Sequence, residues 1–208
     1  MKPKDIGNLI LLAAFWGASF LFIRVAAPVL GPFVTVQLRV SVAAVALMGY
    51  AWVTRRPLNL RGHWKSFFIM GLLNGAIPFS LFAVALVHLN ASFESILNAT
   101  AAFFTALVSA WWLKEKFTVR KALGIGLGLL GVAVLVGWSP VPFTPTTTLA
   151  VLATLSATLS YGFAAVYAKT AAKSISPFDW AVGQQLGASV WLLPFSLASL
   201  PAAKAPSW

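Results

Sequence analysis

Arg39, Glu94, Asn74, Asn98 and Gln184 are polar side chains set inside stretches that are otherwise apolar. Such residues mark a substrate or ion pathway by default, because hydrocarbon offers them no partner. Arg39 stands six residues inside its apolar run, roughly 9 Å along a helix that rises 1.5 Å per residue. Glu94 stands three residues inside another, roughly 4.5 Å deep. Their similar depths suggest an ion pair near the outer mouth, serving as a gate element or as a charge site for a zwitterionic substrate. A static helix–helix pair, or a simply hydrated Glu94, is the structural alternative. Glu94, Asn98, Thr105 and Ser109, with Ala102 between them, recur every three to four residues and so share one helical face. That face either lines an aqueous cavity or mediates packing between helices.

Trp16, Ser19 and Phe20 stand together in the first apolar run and are candidates for shaping a pocket; core packing is the bland reading of Trp16. Arg24 lies near the end of the same run, where snorkelling to the headgroups accounts for it. Asn74 and Pro78 sit in the middle of the third run. Pro78 frees a backbone carbonyl and predicts a kink. Gln184 and Gln185 interrupt the last run. Gly124, Gly128 and Gly131 lie along one side of the fifth and predict a close helix approach. Glu115, among Lys114, Lys116, Arg120 and Lys121, reads as a surface anchor and topology marker.

The elements that carry these residues follow from composition. Of 208 residues, 60% are hydrophobic and 9% charged, too little charge to cover a soluble surface. About 20 apolar residues cross a bilayer. Seven such spans are expected: Ile6–Ala26, Phe33–Val53, Phe67–Leu86, Ala91–Leu113, Ala122–Trp138, Leu149–Ala168 and Trp180–Leu200. The net charge of +11 does not indicate nucleic acid, because the basic residues cluster between spans and form no continuous basic face. Twelve of the 15 Lys and Arg fall in alternate loops, Arg24 and Arg39 lie inside spans, and Lys204 alone falls on the other side. This pattern predicts an inner-membrane protein with a cytoplasmic N-terminus. Without cysteine there is no disulfide framework or thiolate site.

A shift of 145 residues aligns the first and sixth spans. Trp16-Gly17 falls on Tyr161-Gly162, Arg24 on Lys169, Ala26-Ala27 on Ala171-Ala172, and Pro32-Phe33 on Pro177-Phe178. Arg39 falls on Gln184. Five spans separate the copies, so the second enters the membrane from the opposite side, as in inverted-repeat transporters. The expected architecture is therefore all-α and integral to the membrane, with seven helices of an expected ten. Residues 1–139 form a first five-helix repeat, and 147–208 hold two helices of a truncated second one.

The stretch Phe15-Trp16-Gly17-Ala18-Ser19-Phe20 followed by Arg24, and Pro32 with Arg39, resemble the EamA-type family of the drug/metabolite transporter superfamily. So does Ala91 onward through the fifth span, with Glu115-Lys116 and its glycines. Ala102-Phe103 departs from the family, which often has proline there. The resemblance implies ten helices in two inverted fives and export of small metabolites, often amino acids or related compounds. The expected function is thus a secondary transporter working by alternating access, with Trp16, Ser19, Phe20, Arg39, Asn74, Glu94, Asn98, Tyr161 and Gln184 along its pathway. Its partners would be a small-molecule substrate and the lipid bilayer. No cofactor and no nucleic acid are implied, and no phosphate-binding glycine loop is present. The alternatives are a membrane-embedded enzyme, for which no catalytic constellation is seen, a seven-helix receptor or scaffold, and a homodimer that completes the missing half.

Overall fold

The structure, a computed structural model, describes residues 3–115, 118–138, 142, 144–171 and 175–200. Lys2, Lys116, Lys173 and Lys204 of the charge alternation, Ala172 of the repeat alignment and the distal ends of both expected repeat units lie outside these residues. The described residues are helical, with no strand among them. The helices are α1 (Pro3–Leu30), α2 (Pro32–Val53), α3 (Trp64–Gly71), α4 (Ile77–His88), α5 (Ala91–Asn98), α6 (Ala101–Trp112), α7 (Val119–Trp138), α8 (Pro145–Ala171) and α9 (Pro177–Ser199). Among the described residues, five stretches are long and apolar enough to cross a membrane: Asp5–Leu30, Pro32–Val53, Arg61–His88, Ala91–Trp112 and Pro145–Ala171. Helices α7 and α9 occupy the other two expected spans.

Local chemistry sets the ends. Proline at the first position of α2 and α9 fixes φ where no N–H partner is needed. Gly31, at φ 83°, supplies the left-handed corner between α1 and α2. Asn90 caps α5 through a bond from the Phe93 N–H at 2.7 Å, and Ser176 caps α9 through the Asp179 N–H at 3.0 Å.

Two expected continuous spans are interrupted. In the third, Leu72–Ala76 form a π-turn between α3 and α4, with the Ile77 N–H bonded to the Leu72 carbonyl. The buried Pro78 follows at once, so the strain of a missing N–H is absorbed by a wider turn rather than by a bare kink. In the fourth, Ala99 and Thr100 separate α5 from α6. The Thr100 hydroxyl bonds back to the Leu97 carbonyl at 2.7 Å and onward to Thr158 at 3.1 Å. This hydroxyl competes locally with the helical ladder and breaks the span.

The packing places α8 against α4 and α6, and α9 against α2 and α3. The core gathers Phe20, Val36, Val40, Phe82, Leu86 and Leu192, with Tyr161 and Trp191 packed on it. Large apolar side chains elsewhere, such as Phe22, Val25 and Trp111, are exposed and suit contact with lipid. Where helices meet most closely, glycine makes it possible. A Cβ on Gly71 or Gly187 would meet backbone of the facing helix, and one on Gly75 would lie 2.6 Å from the Ala188 Cβ. Gly71/Gly75 and Gly183/Gly187 are therefore two facing small-residue pairs spaced four apart. The expectation for α7 is corrected: a Cβ on Gly124, Gly128 or Gly131 meets nothing within 4 Å among the described residues. Gly187→Ala is expected to destabilise the bundle by roughly 1–3 kcal/mol through overpacking. Gly124→Ala is expected to leave stability equal or higher; thermal melts of both variants in detergent check the contrast.

Candidate functional site

The interior polar groups meet where α8 and α9 pack on the earlier helices. In the first cluster, the Arg39 guanidinium of α2 lies over the Phe79 ring of α4, 4.1 Å from its centroid. A desolvated cation over a ring gains about 2 kcal/mol, which offsets part of the cost of holding Arg inside the bundle. Phe82, one turn further along α4, touches Phe20 of α1 and Tyr161 of α8, each at 5.7 Å between centroids. Trp16 reaches Tyr161 at 6.4 Å. Four expected residues, Trp16, Phe20, Arg39 and Tyr161, thus gather around Phe79 and Phe82. Ser19 is half-buried next to them on α1.

A second cluster joins α2, the π-turn and α9. The Asn74 amide donates to Gln184 Oε1 at 3.0 Å. The Gln37 amide donates to Ser189 at 2.7 Å and to Ser41 at 2.9 Å, and the two serine hydroxyls lie 3.1 Å apart. Gln37 Oε1 is buried with no hydrogen-bond partner among the described residues. The π-turn supports this seam by pointing Asn74 at α9, next to Gly75 of the close glycine crossing.

Glu94 lies apart from both. It is fully buried, and the Thr154 hydroxyl of α8 sits 2.9 and 2.8 Å from its two oxygens. No ion pair joins Arg39 and Glu94 among the described residues, so the expected outer-mouth pair is corrected. Equal depth did not bring them together because α5 turns this carboxyl toward α8, whereas α2 turns Arg39 toward α4. The polar stripe of the fourth span also meets α8: a Cβ on Gly162 would lie 3.1 Å from the Thr105 nitrogen. Asn98 is half-buried, and its Oδ1 has no partner among the described residues. Arg24 donates to the Leu86 carbonyl of α4 instead of snorkelling free.

Several contributors carry little sequence signal. Gln37 meets the same criterion as Arg39, a polar group inside a span, and was open to detection. Phe79, Phe82 and Thr154 stand out by nothing in a chain this rich in aromatic and small residues. The facing glycine pairs of α3 and α9 were legible as a four-residue spacing, although the same spacing in α7 leads nowhere.

Long apolar helices whose few interior polar groups bond to one another across helix boundaries define a multi-pass membrane protein. The profile of the EamA-like transporter family matches residues 6–137. The chain belongs to that family. It is 27% identical over 194 residues to an uncharacterized transporter, YoaV, of Bacillus subtilis, covering 93% of this chain and 66% of the relative. An uncharacterized transporter of Archaeoglobus fulgidus is 29% identical over 205 residues, covering 96% and 69%. A probable amino-acid metabolite efflux pump of Escherichia coli is 27% identical over 140 residues, covering 65% and 44%. The chain thus spans about two thirds of the length of the first two relatives and less than half of the third.

At one end of the bundle, Glu115, just after α6, pairs with Lys169 in the last turn of α8 at 3.2 Å and with Lys121 in the first turn of α7 at 3.3 Å. The loops after α6 and α8 therefore share one face, as the charge alternation requires. Hydrogen bonds from Lys169 and then Lys121 hold the Glu115 carboxyl below its ordinary value. Its contribution to stability is thus complete above the unfolded value of 4.5 and lost as pH falls through the lowered folded value. The pairs are solvent-exposed, so the effect is small and screened by salt. Melting temperature measured against pH should fall less steeply on the acid side for Glu115→Gln than for the unaltered protein.

Proposed function

We propose that the chain forms part of a secondary transporter that exports amino acids or related small metabolites by alternating access of two inverted halves. The observation that carries this reading is Arg39. Its charge is held inside the bundle by an aromatic face and has no carboxylate partner among the described residues. A cation so placed suits the carboxylate of an incoming substrate, which would supply the charge-assisted bond that no carboxylate among the described residues supplies. Trp16, Phe20, Phe82 and Tyr161 would then supply apolar walls for a side chain, with Asn74, Gln184 and Asn98 as further polar lining of the pathway.

The inverted arrangement draws support from Trp16 and Tyr161. These residues correspond under the 145-residue shift, and they touch. Residues related by a twofold axis meet each other only beside that axis. This contact fits a pathway running along a pseudo-twofold between halves. The name of the Escherichia coli relative supports the substrate class.

In proteoliposomes containing the full chain, Arg39→Ala is expected to lower transport of amino acids about tenfold or more, the scale of one lost charge-assisted bond. Amines lacking the carboxylate should compete poorly with the unaltered protein. Equal competition by such amines would remove Arg39 from substrate recognition. The proposed topology, with the N-terminus cytoplasmic in the inner membrane, predicts that an N-terminal reporter active only in the periplasm stays silent. The same reporter after His88, on the opposite face, should be active.

A further inference from the structure

The end of α2 is built in a way that helix stability alone does not explain. The Arg56 N–H bonds to the Ala51 carbonyl at 2.9 Å, and the Arg55 N–H to Trp52 at 3.1 Å. This closing turn requires a left-handed residue, normally glycine. Here it is Arg55, at φ 52°. A second helix on the same face, α6, ends on Lys114 at φ 53°. In both places a strained basic residue stands where glycine would be relaxed.

Arg55 and Arg56 line a cleft of about 650 Å³, together with Trp52, Val53 and Met48. Trp52 and Val53 are 83% and 73% exposed. The cleft is thus basic at its tip and apolar along the side that faces lipid. Arg56 stacks on Phe178 of α9, 4.7 Å from the ring centroid, which ties the cleft to the later helices. Neither arginine forms an ion pair among the described residues. Asp179, next to Phe178, makes no ion pair with Arg56 either.

We infer that this cleft binds the headgroup of an anionic phospholipid, with the phosphate held by Arg55 and Arg56 and the acyl chain laid along Trp52 and Val53. A guanidinium pair matches phosphate geometry better than any other side chains. The apolar wall continuous with the lipid-facing surface of α2 selects a lipid over a soluble phosphate. Basic groups at the membrane surface recognise anionic lipids through this combination. The inference does not depend on the transported substrate.

The test uses the full chain in a neutral detergent, with thermal stability followed as phosphatidylglycerol, phosphatidylcholine or soluble glycerol phosphate is added. Phosphatidylglycerol is expected to raise Tm well above the effect of the other two. Arg55→Gly relaxes the left-handed turn, so it should leave lipid-free Tm equal or higher while reducing the phosphatidylglycerol shift. Arg55→Gly combined with Arg56→Ala should cut that shift to roughly half or less, the remainder coming from other basic residues on this face. Brominated phosphatidylglycerol should quench the fluorescence removed by Trp52→Phe. An equal shift with phosphatidylcholine would overturn the proposal, as would an equal shift with glycerol phosphate. A full phosphatidylglycerol shift in a well-folded Arg55→Gly/Arg56→Ala protein would overturn it too.

Discussion

Hydrocarbon does not hydrogen-bond, and every polar group in this bundle is arranged under that constraint. Because lipid is as apolar as leucine, burial alone does not press the helices together. Close packing and bonds between helices must do so. The tight glycine crossing of α3 and α9 provides the first. The second comes from side chains that leave one helix and end on another: Asn74 on Gln184, Gln37 on Ser189, Thr100 on Thr158, and Ser160 on the Leu73 carbonyl at 2.7 Å.

All four of these bonds join the first five spans to α8 or α9. The same holds for Glu94 with Thr154 and for Trp16 with Tyr161. The polar groups therefore hold α8 and α9 against the earlier spans, and Trp16 and Tyr161 touch across the same boundary. Architecture and candidate pathway are one set of contacts.

Much of this was legible in the sequence because the bilayer imposes simple rules. Span positions follow from length and apolarity, and the Glu115 contacts join two loops that charge counting had placed together. The 145-residue shift pairs Trp16 with Tyr161, and these two rings touch. Departures appear where local backbone chemistry competes with the helix. Pro78 signalled a disturbance but not that a π-turn upstream would absorb it, and Thr100 broke a span whose pattern reads as unbroken. Depth along a span gave Arg39 and Glu94 equal standing. It contains no information about azimuth, and azimuth sends one toward α4 and the other toward α8. The glycines of α7 show the same gap: a spacing is visible in sequence, but the helix it would face is not.

The π-turn at Leu72–Ala76 sets a phase relation within the third span. An α-helix advances about 100° per residue, and a π-turn accommodates one residue more than the α-helical count. The side of the span presented by α4 is therefore rotated against that presented by α3. With this offset, one span faces two neighbours: α3 and the π-turn meet α9 through Gly71 and Gly75, and α4 meets α8 through Phe82. An unbroken α-helix of the same sequence would swing Phe79 and Phe82 about 100° off Arg39 and Tyr161, with composition and hydropathy untouched.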